Sequence, residues 1–156
     1  MLTRKGKYGL KATLTLAREH GHGPMLISDL AEADAIPKKF LENILLTLKH
    51  RGLVQSRKGP HGGYQLGRSP DQISVGDVIR ALDGPLALVS CVSQTAYAPC
   101  EECVTEHDCA VRRIFQRVRD ETARILDGTT LAEAARAPLA PGDPRDGTVI
   151  QLGGAP

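Results

Sequence analysis

The sequence predicts a mainly α-helical chain that carries one small β-hairpin, and three observations support this fold class. Residues 38–52, KKFLENILLTLKHRG, have the apolar spacing of an amphipathic helix, with Phe40, Leu41, Ile44, Leu45 and Leu48 on one face. Residues 53–57 and 63–67 are two short β-prone runs around a glycine- and proline-rich turn, the pattern of a hairpin. Residues 110–127 form a long helix with a second apolar stripe, about 25 Å long, made of Val111, Ile114, Phe115, Val118 and Ile125.

Three further helices are expected. Apolar residues alternate in the segment 8–21, YGLKATLTLAREHG, as they would in a strand, but its alanines and its basic, glycine-terminated end favour a helix. Ser28 is predicted to cap a short helix over residues 29–33, and Ser74 to cap another over residues 75–82. The chain is therefore expected to be helical on both sides of the hairpin.

Composition and charge narrow the class of protein. The chain has 156 residues, of which 41% are hydrophobic, enough for a core without covalent cross-links. Its net charge of +2 hides an asymmetry, because residues 1–69 hold twelve Lys or Arg against five Asp or Glu, and the remainder holds eight against thirteen. A basic half suits a polyanion such as nucleic acid, although a solvated charged surface gives the same count. With no signal-peptide pattern and no long apolar run, we expect a cytoplasmic protein.

The order of short helix, turn, longer helix and hairpin is that of a winged helix-turn-helix, whose second helix enters the DNA major groove. The outer face of that helix is predicted to carry the DNA contacts Lys38, Lys39, Glu42, Asn43 and Thr47. The lysines suit phosphate, and the carboxylate and amide suit base edges. At the hairpin tip, Arg57, Lys58, His61 and Gly62 are predicted to approach the DNA backbone or minor groove. An ordinary solvated helix and a hairpin without a partner are the alternatives.

Over about residues 1–135 the chain resembles the IscR/NsrR/RirA/CymR family of bacterial winged-helix regulators. The resemblance rests on LTRKGKYGLKA, on ISVGDVIRALDGPLALVSC and on the intervening region with the wing RKGPHGGY, its most specific piece. It implies a sequence-specific transcription regulator, which we expect to be a repressor, that binds palindromic double-stranded DNA as a homodimer through the long C-terminal helix. From the residues alone, the apolar stripe of that helix could equally pack within one chain.

Four cysteines lie close together, in the spacing Cys91-x8-Cys100-x2-Cys103-x5-Cys109. In a reducing compartment such a group is more often a metal, cluster or redox site than a disulfide framework. Four thiolates could hold a [2Fe–2S] cluster, a [4Fe–4S] cluster or tetrahedral zinc.

The resemblance favours the iron–sulfur cluster among these. Cys91, Cys103 and Cys109 match a three-cysteine pattern of many relatives, which leaves Cys100 as the fourth ligand. Arg112 stands where some relatives have a histidine ligand. The resemblance thus implies a cluster that senses iron, cluster status, redox state or nitric oxide. A thiol/disulfide switch or a zinc-containing regulator without an iron–sulfur cluster is the alternative.

An enzyme is not expected. The spacing Cys100-x-x-Cys103 matches a thiol–disulfide oxidoreductase, but the flanking residues resemble loop where such a motif needs a strand and a helix. The neighbouring acidic residues are expected to be solvated; they are Glu101, Glu102, Glu106 and Asp108. The predicted organisation is a DNA-binding domain over 1–83, a cysteine loop over 84–109, a dimerisation helix region over 110–135 and a disordered Pro/Gly-rich tail over 136–156.

Overall fold

The computed structural model describes residues 2–101, 103 and 105–136, so all but the first residue of the predicted tail lies outside the described residues. The chain runs through α1 (Arg4–Arg18), α2 (Ile27–Asp34), α3 (Lys38–His50), β1 (Val54–Arg57), β2 (Gly63–Leu66), α4 (Val75–Leu82), α5 (Ala110–Gly128) and α6 (Leu131–Arg136). Single 3₁₀ turns occur at Pro70–Gln72 and Ser90–Val92. The mainly α fold with one hairpin is confirmed. No helix in this part of the chain has the length and apolarity to cross a membrane.

Helix α1 resolves the ambiguous alternation of the first segment in favour of a helix. Ala12 and Leu16 are buried, whereas Leu10 and Leu14 are half-buried, because α1 packs against α2, α3, α4 and α6. A helix with neighbours on several sides needs apolar residues on more than one face. The N-terminus is held by Asp83, whose carboxylate accepts the backbone N–H of Thr3 at 2.8 Å.

The turn between α2 and α3 is the helix-turn-helix corner. Ala35 adopts the left-handed conformation there, with φ 52°, and Asp34 beside it is buried. The side chain of Lys11 donates to the Asp34 carbonyl at 2.7 Å and that of Thr15 to its carboxylate at 3.1 Å, which fixes the corner on α1. These two hydrogen bonds hold the turn that precedes α3 against α1.

The predicted cap of α2 is wrong. The helix begins at Ile27, so Ser28 lies inside it, and its hydroxyl bonds to Asp29 instead of to a backbone N–H. The extended backbone ends at Leu26, directly after a β-bridge between Met25 and Tyr64, and the helix therefore starts one residue before the serine.

Helix α3 follows the predicted stripe closely. Leu41, Ile44, Leu45 and Leu48 are fully buried and form the centre of one hydrophobic core, which also contains Leu30, Val54 and Val78. Phe40 is only half-buried, and its ring packs edge-on against Tyr8 with centroids 5.7 Å apart. Fixing one face of α3 in the core leaves the opposite face to solvent.

The hairpin is also as predicted, within one residue at each strand. Val54 pairs with Leu66 and Arg57 with Gly63 in an antiparallel register. The second strand is tied to the α1–α2 connection, because the N–H groups of Met25 and Tyr64 each donate to the other residue's carbonyl at 2.8 Å. Gly63 has φ 148°, and a Cβ there would collide with the Met25 carbonyl, so only glycine allows this close approach.

Helices α4 and α6, which precede and follow α5, both belong to the winged-helix core. Helix α4 has the predicted bounds, with a capping box between Ser74 and Asp77. After α5 the chain returns to the core: the N–H of Leu131 donates to the Ile73 carbonyl at 2.8 Å, and Leu131 is fully buried. The predicted dimerisation region 110–135 thus contains two helices, and α6 packs on α1 in the same core as the winged helix.

Candidate DNA-binding and cysteine sites

The outer face of α3 carries the predicted DNA contacts. Lys38, Lys39, Glu42 and Asn43 are exposed. Within the described residues neither lysine makes an ion pair with an acidic side chain. Thr47 is half-buried, and its hydroxyl donates to the Asn43 carbonyl at 2.9 Å, so its O–H is already used inside the helix. The two lysines are therefore free to bind an anion at the start of the helix.

The tip of the hairpin presents three side chains of the predicted set. Arg57, Lys58 and His61 are exposed, and none of them forms an ion pair with a described acidic residue. Gly62 differs from them because it is buried and its N–H donates to the Gly59 carbonyl at 2.9 Å. A Cβ at Gly62 would collide with the Arg57 carbonyl, so the turn requires glycine at this position. Its N–H is used within the turn and does not point to a DNA contact.

The helix and the hairpin are held as one rigid unit. The ammonium of Lys49 on α3 donates to the hydroxyl of Ser56 on β1 at 2.7 Å. The backbone N–H of Leu53 donates to the Leu48 carbonyl at 3.0 Å, and both side chains are buried. These contacts hold the end of α3 against β1, so the helix and the hairpin belong to one packed unit.

Leu46 is a residue that the sequence reasoning missed. Its side chain is 51% exposed on the outer face of α3, although leucine would be expected in the core. The sequence contains a signal for this exposure, because Leu46 is apolar but does not fall on the buried stripe of α3. It adds an apolar group to an otherwise polar surface.

The structure brings the four cysteines around one cavity. Cys91 is buried in the second 3₁₀ turn, Cys103 and Cys109 are half-buried, and Cys100 is exposed. All four, together with Arg112, line a cavity of about 470 Å³. Within the described part of the chain, no three Cys, His, Asp or Glu side chains are grouped as they would be around a single metal ion. The thiols thus surround a space that is larger than one ion.

Hydrogen bonds within the cysteine loop and at the start of α5 shift the pKa values of two thiols in opposite directions. Hydrogen bonds to Cys109 and then to Cys100 raise the pKa of the Cys103 thiol to about 11. The pKa of Cys109 is lowered, chiefly because the backbone N–H of Arg112 donates to its sulfur at 3.4 Å. Cys109 caps the N-terminus of α5, where free N–H groups favour negative charge.

Among the acidic residues of the loop, Glu106 is solvated only in part and has partners within the chain. Its side chain is half-buried, lies 3.7 Å from Nε of Arg112 and accepts a hydrogen bond from the Tyr97 hydroxyl. That hydrogen bond raises the pKa of Tyr97 above its ordinary value. Glu101 and Asp108 are exposed as predicted, and Glu102 lies outside the described residues.

The cysteine loop is connected to both halves of the molecule. The turn that contains Cys91 packs against α5. Further along α5, Asp127 forms an ion pair of 2.6 Å with Arg80 of α4. The loop is therefore bounded by a helix of the winged-helix core and by the long helix.

Helix α5 itself buries no residue within the described part of the chain. Its apolar stripe is largely open to solvent, with exposed fractions of 56% for Val111, 60% for Ile114, 41% for Val118 and 56% for Ile125. Phe115 is half-buried. Apart from Phe115, the stripe is therefore not covered by the part of the chain that the structure describes.

Comparison with known proteins agrees with this architecture. Residues 2–137 match the Rrf2 family, described as an iron-dependent transcriptional regulator. An rrf2-like HTH-type transcriptional regulator of Rhodobacter capsulatus is 39% identical over 92% of this chain and 95% of its own. The transcriptional regulator IscR of Aliivibrio salmonicida is 34% identical over 85% of this chain and 75% of its own.

Solved structures give the same result. The structure of CymR, the global cysteine regulator of B. subtilis, has a TM-score of 0.75 at 34% identity and covers 89% of this chain and 98% of its own. That of T. potens IscR has a TM-score of 0.67 at 28% identity over 99% of this chain and 93% of its own. The chain therefore belongs to the Rrf2 family of transcriptional regulators.

Proposed function

We propose that this protein is a sequence-specific DNA-binding repressor that binds a palindromic operator as a homodimer, with its affinity controlled by an iron–sulfur cluster. The observation that carries the DNA-binding part is the presence, on two elements that contact each other, of two groups of exposed cations that form no ion pair with a described acidic residue. Lys38 and Lys39 begin α3, Arg57 ends β1 and Lys58 follows it, and the contact between Lys49 and Ser56 joins the two elements.

The four cations suit the phosphate backbone. Each phosphate that a Lys or Arg neutralises releases counterions, which provides affinity without sequence preference. Lys38 and Lys39 also lie at the positive end of α3, where anions are favoured. Arg57 and Lys58, with His61 between the glycines of the tip, can follow the neighbouring backbone or a narrow minor groove.

The middle of the α3 outer face suits base recognition. Asn43 can pair with the two hydrogen-bonding groups of adenine, and Glu42 can accept from the amino group of cytosine. Leu46 can contact the methyl group of thymine, which is an apolar contact in the major groove. Thr47 contributes its methyl group or an accepting oxygen, because its hydrogen is used within the helix.

Selection of bound duplexes from a random DNA pool tests this function directly. We expect enrichment of a palindrome whose half-sites lie about one helical turn apart, as a symmetric pair of α3 helices requires. The same protein with Lys38 and Arg57 both changed to Ala should enrich the same sequence at lower yield. A wild-type protein that enriches no sequence would contradict the proposal.

The cysteines support the cluster through their chemistry and placement. Thiolates are the ligands of iron–sulfur clusters, and Cys91, Cys100, Cys103 and Cys109 all line one cavity. These four residues would hold the group, which supplies a redox-active, negatively charged centre when bound. The test is the visible absorption spectrum of anaerobically purified protein together with its iron and sulfide content. Near-equal iron and sulfide support the proposal, and a colourless protein without sulfide contradicts it.

The position of the cysteine loop supports a regulatory role. It joins α4, which packs in the winged-helix core, to α5, whose open stripe we propose as the dimer contact. Fixing Cys91 to Cys109 constrains the loop between them, so the spacing of two α3 helices can depend on it. Regulation requires a difference in DNA affinity between the two states. Operator binding by cluster-loaded protein, cluster-free protein and Cys103→Ala at one salt concentration measures this difference; equal affinity for all three would reject the sensor.

A thiol/disulfide-switched or zinc-containing regulator is the second candidate. The observation that favours it is that Cys100, Cys103 and Cys109 are free thiols that line one cavity. The likeness to CymR, described as a global cysteine regulator, points the same way. Protein that contains zinc and no sulfide, or that loses free thiols reversibly on mild oxidation, would support this candidate over the cluster.

A further inference from the structure

Arg112 is the cationic side chain of the cysteine cavity. It lines the cavity with the four cysteines, and its side chain is 29% exposed. Its Nε is buried and donates no hydrogen bond to any described residue, although the Glu106 carboxylate lies 3.7 Å away. A buried N–H group without an acceptor is costly unless something in the cavity accepts from it. The guanidinium is thus placed to face an anion held by the cysteines.

The positive charge of Arg112 should affect how easily a cluster in this cavity is reduced. A cluster held by four thiolates is negatively charged, and one-electron reduction by a small-molecule reductant adds one more negative charge without forming or breaking a bond to the protein. A nearby guanidinium stabilises the reduced state more than the oxidised state, because the Coulomb energy grows with the charge it faces. We propose that Arg112 raises the reduction potential of the cluster, and that Glu106 opposes it; this rests on the proposed cluster.

Glu106 is held where it can oppose the guanidinium. Its carboxylate accepts the hydrogen bond of the Tyr97 hydroxyl and lies beside Arg112. The paired carboxylate reduces the positive field that Arg112 exerts on the cavity, so removing the Glu106 charge should raise the potential. Removal of the charge at Arg112 and removal of the charge at Glu106 should therefore shift the reduction potential in opposite directions. A general loosening of the loop would not produce shifts of opposite sign.

The experiment is a reductive titration with dithionite under anaerobic conditions, followed by visible absorption. Arg112→Gln should lower the equilibrium constant for reduction by up to about tenfold, or 59 mV for one electron. Arg112→Lys keeps the charge and should remain closer to the wild-type potential. Glu106→Gln still accepts from Tyr97 and should shift the potential upward. Arg113→Gln is the matched control, because Arg113 is exposed on the same helix and does not line the cavity.

The outcomes separate the inference from the function on which it rests. Wild-type protein without iron and sulfide would overturn both. A loaded wild-type protein whose potential equals that of Arg112→Gln would overturn only the role of Arg112. If Arg112→Gln does not retain the cluster, Glu106→Gln decides: an upward shift supports the inference, and an unchanged potential rejects it.

Discussion

Two exposed side chains of α5 provide the sharpest test of the homodimer. Changing Ile114 and Val118 to Asp places two carboxylates in the middle of the apolar stripe. Both side chains are exposed in the single chain, so the change should leave the fold intact. Phe115 is less suitable, because it is half-buried and its replacement would also disturb packing within the chain.

The exposed fractions set the size of the effect. Full burial of a Val or Ile side chain contributes about 1.5–3 kcal/mol, and roughly half of each stripe residue is still open to solvent, so each contributes about 1 kcal/mol to association. Two symmetric copies of four residues give about 8 kcal/mol before the cost of lost rotational and translational freedom. The double substitution removes about 4 kcal/mol of this and adds unpaired buried carboxylates, so the dissociation constant should rise at least about a thousandfold.

Sedimentation velocity over a range of protein concentrations measures this change. We expect a wild-type dimer and a monomeric Ile114→Asp/Val118→Asp variant with an unchanged far-ultraviolet circular dichroism spectrum. The control, Arg113→Gln/Arg117→Gln, lowers the net charge by the same two units on exposed parts of the same helix and should stay dimeric. A doubly substituted variant that still sediments as a dimer would place the interface elsewhere. A variant that unfolds would contradict the expectation that the protomer keeps its fold without the dimer contact.

Four further predictions concern DNA binding by Lys58 and by Asn43, the stability of the hairpin, and the reactivity of the thiols. Lys58→Ala should weaken binding to all DNA sequences and reduce the dependence of log affinity on log salt concentration by about one unit of slope. Asn43→Ala should cost about 1–3 kcal/mol of binding free energy at one base position and leave that slope unchanged. Titrations at several salt concentrations measure both effects, and a changed slope for Asn43→Ala with a changed sequence preference for Lys58→Ala would contradict these roles. Gly63→Ala should lower stability by about 1–3 kcal/mol because of its positive φ and its contact with the α1–α2 connection, and an unchanged thermal midpoint would contradict this. In cluster-free protein at pH 8, iodoacetamide should modify Cys109 before Cys103, because a pKa of about 11 keeps the Cys103 thiol protonated. Peptide mass spectrometry that shows the reverse order would refute the assignment.

Elements whose signals are local could be predicted from the order of the amino acids. The buried face of α3, the glycine-rich hairpin and the Ser74 cap of α4 each depend on residues a few positions apart, and all three are present in the structure. The same holds for the charge on the outer face of α3, since fixing the buried stripe also fixes the opposite side. The resemblance of the wing sequence to known regulators was sufficient to name the family.

Features that depend on contacts between distant segments could be seen only in the folded chain. The alternating pattern of α1 became a helix because four other helices surround it, and α6 joined the core because Leu131 pairs with Ile73 across the chain. Spacing alone could show that four cysteines are near one another, but not that they enclose a cavity with Arg112 in its wall or that Glu106 lies beside that arginine. The spacing of apolar residues along the sequence reflects the packing of a single helix or strand. The contacts described above join segments that are far apart in the sequence, so they depend on how the whole chain packs.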